Sequence, residues 1–378
     1  MDYSKIKPWN SSEFPVKVNN IRFNQDYSLL TLATSRGYKI FSSKTLKKVH
    51  EETELVRDFG DLKIVMTYYS SSIVFFTAKK NNQKISKKQL IIFDDYAQKI
   101  ISKFVSKEEN IINCYVSKNA IFIALQNNLA ILELLSMKVI NIIEKVEINN
   151  KLVSFNINNY IAYLIQSQTK NIYINKYEFK SNIISNIEKK CMNSSFEWVQ
   201  SIKLSQSGKF LSIISILGNK IHIYQTSDSS LIKCIFIGNK VYNIEKMSFI
   251  YNRRKEKYIM INLNNKQIII YRINYDNIDE QNCICAHYSD DDILTGKIKN
   301  EKNNSNNLLN YFWSNKNNDI TQSYLSITFN NNIIFSEFFF NLFQKSFVII
   351  DEKGYYYIYF FHKNKNMNPL TYDSCKWI

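Results

Sequence analysis

Ser28-Leu-Leu-Thr-Leu-Ala-Thr-Ser-Arg-Gly-Tyr-Lys-Ile-Phe41 reads as two apolar strands, Ser28–Thr34 and Gly37–Phe41, folded about a tight turn at Ser35-Arg36-Gly37. Short runs rich in β-branched and aromatic residues, bounded by a turn signal, mark a hairpin rather than a helix. The same shape returns at Ile64–Tyr69, Ile73–Thr77 and Gln89–Phe93, and again at Ile112–Val116, Ala120–Leu125 and Leu129–Leu132. It continues through Leu152–Asn156, Tyr160–Ile165 and Asn171–Tyr177, then Ser201–Leu204, Phe210–Ile214 and Lys220–Tyr224. Lys246–Ile250, Tyr258–Asn262 and Gln267–Arg272 form a sixth unit, and Tyr324–Phe329, Ser346–Ile350 and Tyr355–Phe361 a seventh. A recurrence of roughly 40–50 residues with three or four strands per unit is the signature of a β-propeller. No long amphipathic helix interrupts the series, so a βαβ fold is excluded for want of crossovers. The expected class is all-β, a seven-bladed, WD40-like β-propeller forming one domain over residues 1–378.

Composition is compatible with that architecture. The 378 residues are 45% hydrophobic and include 25 Tyr and 25 Phe, enough to fill a large core of β-favouring side chains. Only 7 Gly and 3 Pro serve all the turns, so Asn must supply many left-handed positions. The formal charge is +16, from 49 Lys+Arg against 33 Asp+Glu. Such an excess attracts anionic partners, either acidic lipid or nucleic acid. The lysines are spread along the chain and the aromatics lie in strands, whereas a nucleic-acid surface gathers cations and exposed rings on one face. A nucleic-acid-binding basic propeller therefore ranks last, and no nucleic-acid partner is expected. Six Cys (114, 191, 234, 283, 285 and 375) follow a polar N-terminus and read as reduced cytosolic thiols. No run approaches the 18 or so apolar residues of a membrane span, and Ile333–Phe343 is broken by Ser336, Glu337 and Asn341.

Catalytic chemistry finds no foothold. The four histidines, His50, His222, His287 and His362, are far apart in sequence. Cys283-Ile-Cys285-Ala-His287 lacks the spacing of a zinc site and has no second pair. No glycine-rich phosphate loop, nucleophile elbow or HExxH occurs. Asp94 and Asp95 are adjacent on a strand, so their carboxylates point to opposite faces. Neither an enzyme nor a cofactor is expected. Two segments interrupt the strand pattern. Ala78–Lys88 is a Lys/Asn/Gln loop inside the second unit. Tyr275–Gln322 is a long polar insertion in the sixth, with Asp290, Asp291 and Asp292 and an Asn-rich run. Long loops inside compact domains are usually functional or disordered.

Several of these stretches together resemble the PROPPIN family, the WD-repeat phosphoinositide-interacting propellers of autophagy and endolysosomal traffic. Phe23-Asn-Gln-Asp26, Leu29–Thr34 and Gly37–Phe41 resemble its opening blade, and Ile91-Ile-Phe-Asp-Asp95 its "IWDD" strand end. Ser205–Phe210 with Gly218–Tyr224 fall in register with its fifth blade, and Phe347–Gly354 with Tyr355–Phe360 resemble its closing hairpin. The resemblance runs from about Val18 to Phe361. It implies a peripheral, cytoplasmic, monomeric scaffold that binds phosphatidylinositol 3-phosphate or the 3,5-bisphosphate. It also implies that the early-blade loops dock autophagy-type protein partners, and the basic loop Ala78–Lys88 suits an acidic peptide there.

The family's lipid motif, Phe/Leu-Arg-Arg-Gly, falls on Ile235-Phe236-Ile237-Gly238. The glycine remains and both arginines are replaced, by Phe236 and Ile237. Guanidinium forks make paired, charge-assisted hydrogen bonds to phosphate. Losing them removes several kcal/mol, at roughly 1.5–3 kcal/mol per charged hydrogen bond. The family's pocket His, Thr and Arg fall on Ser195, Asn219 and His222. Basic candidates for compensation are Lys220, His222, Lys240, Arg253 and Arg254; the alternative is that these are ordinary surface charges. Within 275–322, Leu308, Leu309, Tyr311, Phe312 and Trp313 match the family's membrane-inserting loop, since Trp and Tyr favour the membrane–water boundary. The same cluster also suits the outer strand of the next blade, or packing against the propeller rim. A WD-repeat protein–protein adaptor without lipid binding is the alternative function.

Overall fold

The structure is a computed structural model describing residues 17–43, 48–49, 58–148, 151–166, 168–180, 183–194, 196, 198–238, 241–252, 255–264, 267–273, 323–328, 333–340, 345–351, 355–360 and 372–376. Every named element among them is a strand, and every sheet is an antiparallel meander. The first sheet joins β1 (Val18–Phe23), β2 (Leu29–Thr34) and β3 (Gly37–Ser42). The second joins β4 (Leu62–Thr67), β5 (Ile73–Ala78), β6 (Gln89–Asp94) and β7 (Lys99–Val105). The third runs β8 (Asn113–Val116), β9 (Ala120–Ala124), β10 (Leu129–Glu133), β11 (Val139–Ile143). The fourth runs β12 (Val153–Phe155), β13 (Tyr160–Ile165), β14 (Gln168–Lys180), β15 (Ile183–Asn193). The fifth runs β16 (Val199–Leu204), β17 (Phe210–Ser215), β18 (Lys220–Gln225), β19 (Leu231–Phe236). The sixth runs β20 (Ile244–Asn252), β21 (Lys255–Leu263), β22 (Gln267–Arg272), β23 (Ser323–Thr328). The last runs β24 (Ile333–Phe340), β25 (Lys345–Asp351), β26 (Tyr355–Phe360), β27 (Tyr372–Lys376).

The all-β propeller is thus the observed class. Six of its sheets are complete four-stranded blades, where seven blades were expected; the sheet β1–β3 has three strands. The sequence reading also misplaced one strand. Tyr324–Phe329 was expected to open the last unit, but β23 pairs with β22 and closes the sixth sheet. The strand that opens the last sheet is β24, in the apolar run whose Ser336 and Glu337 disguised it.

Side-chain alternation explains the packing. In β5, Phe76 packs with Tyr38 and Ile40 of the first sheet, while Phe75 packs with Ile121 and Ile123 of the third. In β9, those two isoleucines face the second sheet, and Ala120, Phe122 and Ala124 face Val153, Phe155 and Ile161 of the fourth. Ala162, Ile172 and Met192 meet Ile202, Leu211 and Tyr224 of the fifth sheet, and Ile221, Ile223 and Ile235 meet Ile244, Ile259 and Tyr271 of the sixth. Middle strands are therefore buried on both faces, which is why they read as unbroken apolar runs. Among the described residues, the outer strands β7 and β11 touch solvent instead; β7 has four exposed residues among its first five. The innermost strands β1, β4, β8, β12, β16 and β20 surround an axial cavity of about 940 Å³.

Polar side chains tie the blades together at the turns. Asp94 accepts hydrogen bonds from the Tyr96 and Ala97 amides at 3.0 and 3.1 Å, and the Ala97 amide, followed by the Ser72 side chain, holds its carboxyl below the usual range. Asp95 accepts a hydrogen bond from the buried hydroxyl of Tyr38 on the first sheet. Asp94 thus organises the turn after β6, and Asp95 ties that turn to the first sheet. Arg22 on β1 reaches the carbonyl of Cys114 at 2.7 Å and the Asn113 side chain at 2.6 Å, spanning the second sheet from within the axial cavity. Cys114, Cys191 and Cys234 are free thiols.

Candidate functional site

The stretch that aligns with the lipid motif connects the fifth sheet to the sixth. Phe236 ends β19 opposite Lys220 of β18. The Ile237 amide then donates to the Asn219 carbonyl at 2.8 Å, holding the chain against the β17–β18 turn. That turn needs Gly218, whose φ is +69°, and a Cβ there would overlap the Tyr242 carbonyl oxygen. Gly238 faces the same residue from the other side, since a Cβ on it would lie 2.7 Å from the Tyr242 hydroxyl. Tyr242 is thereby laid between two glycines, with its amide donating to the Leu217 carbonyl at 2.8 Å.

Gln200, at the start of β16, locks the arrangement. Its side-chain amide donates to the carbonyls of Ile216 (3.2 Å) and Tyr242 (3.1 Å) and accepts from the Ile244 amide (3.0 Å). Ile237 and Tyr242 pack against the core formed by Ile221, Ile235 and Ile244. The position aligned with the second family arginine is therefore filled by an aliphatic side chain facing a core. Neither Phe236 nor Ile237 carries a donor for phosphate.

The compensating cations are dispersed. His222 lies on β18 between Ile213 and Cys234 and is only 4% exposed. Its ring is 4.2 Å from that of Phe196, and its Nδ1 is 3.3 Å from the Tyr224 hydroxyl, so it faces the fourth sheet. Burial first, and then the Lys220 charge, push its pKa down to about 4. It is neutral at pH 7 and offers no cation to an anionic headgroup. Lys220 is half-buried at the start of β18. Asn219 accepts from the Ser215 hydroxyl at 3.0 Å through its side chain. Lys240, Arg253, Arg254 and Ser195 lie outside the described residues, as do Leu308, Leu309, Tyr311, Phe312 and Trp313. The insertion 275–322 connects β22 to its hydrogen-bonded neighbour β23, the third and fourth strands of the sixth sheet.

The early-blade loop 78–88 is pinned more firmly than its polar composition suggests. Ile85 is buried in the core shared by the first two sheets. Asn82 accepts from the Lys84 and Ile85 amides and donates to the Phe59 carbonyl, and Lys84 pairs with Asp58 at 2.6 Å. Beyond this loop, the rims of the second and third sheets expose large apolar side chains. Ile100, Ile101 and Val105 lie on β7, Val139 and Ile142 on β11, and Tyr96 and Leu135 at the preceding turn tips are 91% and 93% exposed. Lys99, Lys103 and Lys138 are interleaved with them and exposed. A third apolar group, Trp198, Ile216, Leu217 and Val241, is exposed beside the stretch Ile235–Gly238. The sequence carried a signal for it in Ile216-Leu217, two aliphatic residues at a hairpin tip where polar residues belong.

No histidine, cysteine and carboxylate cluster able to hold a metal occurs among the described residues, and no helix there is long and apolar enough to cross a membrane. No known family profile matches the chain, and no curated protein does. Solved structures do. Hsv2 of Kluyveromyces marxianus superimposes with a TM-score of 0.68 at 12% identity, over 96% of this chain and 100% of that one. Hsv2 of Kluyveromyces lactis gives 0.67 at 14% identity, over 96% and 98%. KlAtg21 in complex with a coiled-coil of AgAtg16 gives 0.65 at 15% identity, over 95% and 99%. The resemblance drawn from the sequence thus extends to a shared fold along nearly the whole chain.

Proposed function

We propose that the chain is a PROPPIN-like propeller scaffold of autophagy or endolysosomal membrane traffic, one that recruits a protein partner and does not read phosphoinositide headgroups through paired pockets. In this reading the three-stranded sheet β1–β3 is the seventh blade. The isolated bridge between Phe41 and Lys48, with the Val49 amide on the Ile40 carbonyl at 2.9 Å, lies along the outer edge of β3 where a fourth strand would pair. The chain is then one seven-bladed domain, with 275–322 as an insertion in its sixth blade.

The observation carrying the reading is the exposed apolar and basic rim of the second and third sheets. Outer strands are sheet edges, and exposed apolar side chains on them favour a covering partner. The interleaved lysines suit an acidic one, and KlAtg21, of the same fold, was solved with a coiled-coil partner. What weighs against paired phosphate pockets is local: an aliphatic Ile237 packed on a core and a neutral His222.

Proximity labelling in the cell of origin tests the partner surface. The wild-type chain is expected to label autophagy or endolysosomal proteins, and Ile100→Asp/Ile142→Asp to lose them while staying folded. Labelling that never includes such proteins, or that both variants share, contradicts the reading.

A further inference from the structure

Each four-stranded meander has two ends. The turn between its second and third strands lies at the same end as the connection to the next sheet. The other two turns lie at the opposite end. Trp198 lies on the connection into the fifth sheet, Ile216 and Leu217 on that sheet's second-to-third turn, and Val241 on the connection out of it. All four therefore gather at one end of the propeller. Backbone hydrogen bonds place the three segments side by side: Ile216 N–H to the Trp198 carbonyl at 3.0 Å, and Tyr242 N–H to the Leu217 carbonyl at 2.8 Å.

The four side chains are 57%, 52%, 49% and 71% exposed, respectively. Their backbone is nevertheless fixed. Gln200 ties the Ile216 and Tyr242 carbonyls together, and Gly218 supplies the left-handed turn that carries Ile216 and Leu217 outward. Among the described residues, Lys220 follows the turn that carries Ile216 and Leu217, and Lys151 reaches Asn243, two residues past Val241, at 3.1 Å and Glu245 at 3.3 Å.

We propose that Trp198, Ile216, Leu217 and Val241 form a membrane-contact cluster that enters the interfacial layer of an anionic bilayer without recognising a particular headgroup. The shape and the charge both select this occupant. The cluster is a set of rigid protruding tips, which a fluid interface accepts. A Trp beside aliphatic residues matches the preference of indole for the headgroup boundary. The described lysines beside it, Lys151 and Lys220, suit acidic lipid. The cluster sits beside the degenerate motif, so contact there needs no arginine pair. It also fixes an orientation: the strand ends Arg272 and Ser323, from which 275–322 departs, lie at the opposite end of the propeller.

The inference rests on the reading of the chain as a membrane-associated scaffold, and its test is separable from the partner test above. Full-length protein is floated with phosphatidylcholine vesicles with and without phosphatidylserine, in the absence of any phosphoinositide. Wild type is expected to float with the phosphatidylserine vesicles. Trp198→Ala and Ile216→Ser/Leu217→Ser should each weaken binding about tenfold, with melting temperature unchanged because the side chains are half-exposed. Ile100→Asp/Ile142→Asp should float as wild type does. The proposal is overturned if wild type stays at the bottom of the gradient or if the cluster variants float equally well. Concentration-dependent self-association without flotation, abolished by Ile216→Ser/Leu217→Ser, would likewise overturn it and make the surface a protein interface.

Discussion

Gly218 and His222 lie four residues apart on one hairpin and answer to opposite constraints. Gly218 must be glycine because its backbone is left-handed and its α-carbon faces the Tyr242 carbonyl. Gly218→Ala adds both the left-handed penalty and a backbone clash, so a loss of roughly 2–4 kcal/mol is expected in chemical denaturation. His222 is held neutral, with a folded pKa of about 4 against an ordinary value of 6.5. Between those values the unfolded chain binds the proton and the folded chain does not. Stability from this site is therefore fully present above pH 6.5 and falls as the pH drops toward 4, below which it levels off. Melting temperatures of wild type and His222→Gln should converge or cross as the pH is lowered from 7 to 4.5. A constant difference across that window would show that His222 does not titrate in this way.

At the scale of elements, what the sequence revealed depended on which faces a strand buries. Ile73–Thr77, Ala120–Leu125 and Phe210–Ile214 are middle strands packed between two sheets, and their continuous apolar runs were legible. Truncating one of their large side chains should be costly: Phe76→Ala, which is fully buried between the first and second sheets, is expected to lose about 3–5 kcal/mol in urea denaturation. A loss below 1 kcal/mol would mean that the inter-sheet core described for Phe76 does not bear on stability. The outer strands β7, β11, β15, β19 and β27 escaped notice; in β7 and β11 the exposed residues are mixed with half-buried ones and show no clean alternation. The same physics hid β24, where Ser336 and Glu337 interrupt an inner strand, and made β23 look like the start of a blade rather than the end of one. The candidate site was legible in part. What the sequence supplied was the stretch Ile235–Gly238, through its resemblance to the family motif. The burial of His222 and the clamp of Gln200 and Tyr242 depend on contacts between segments distant in sequence.

For the whole molecule, charge and packing point in the same direction. A formal charge of +16 spread over a propeller makes weak attraction to any anionic surface the default. Selectivity needs fixed donors, and the described part of the motif region offers Phe236, Ile237 and a neutral His222, with Lys220 as its cation. A propeller can hold its fold and its partner surfaces after such a change, because Ile235 and Ile237 serve the core between the fifth and sixth sheets as aliphatic side chains. The central claim is that membrane contact here is not addressed by 3-phosphorylated lipids. Flotation of the full-length protein with vesicles of matched charge tests it most directly, with phosphatidylinositol 3-phosphate, the 3,5-bisphosphate or phosphatidylserine as the anionic lipid. The account predicts equal flotation with all three. Selective flotation with the 3-phosphorylated lipids would contradict it and show that other residues had rebuilt a phosphate pocket.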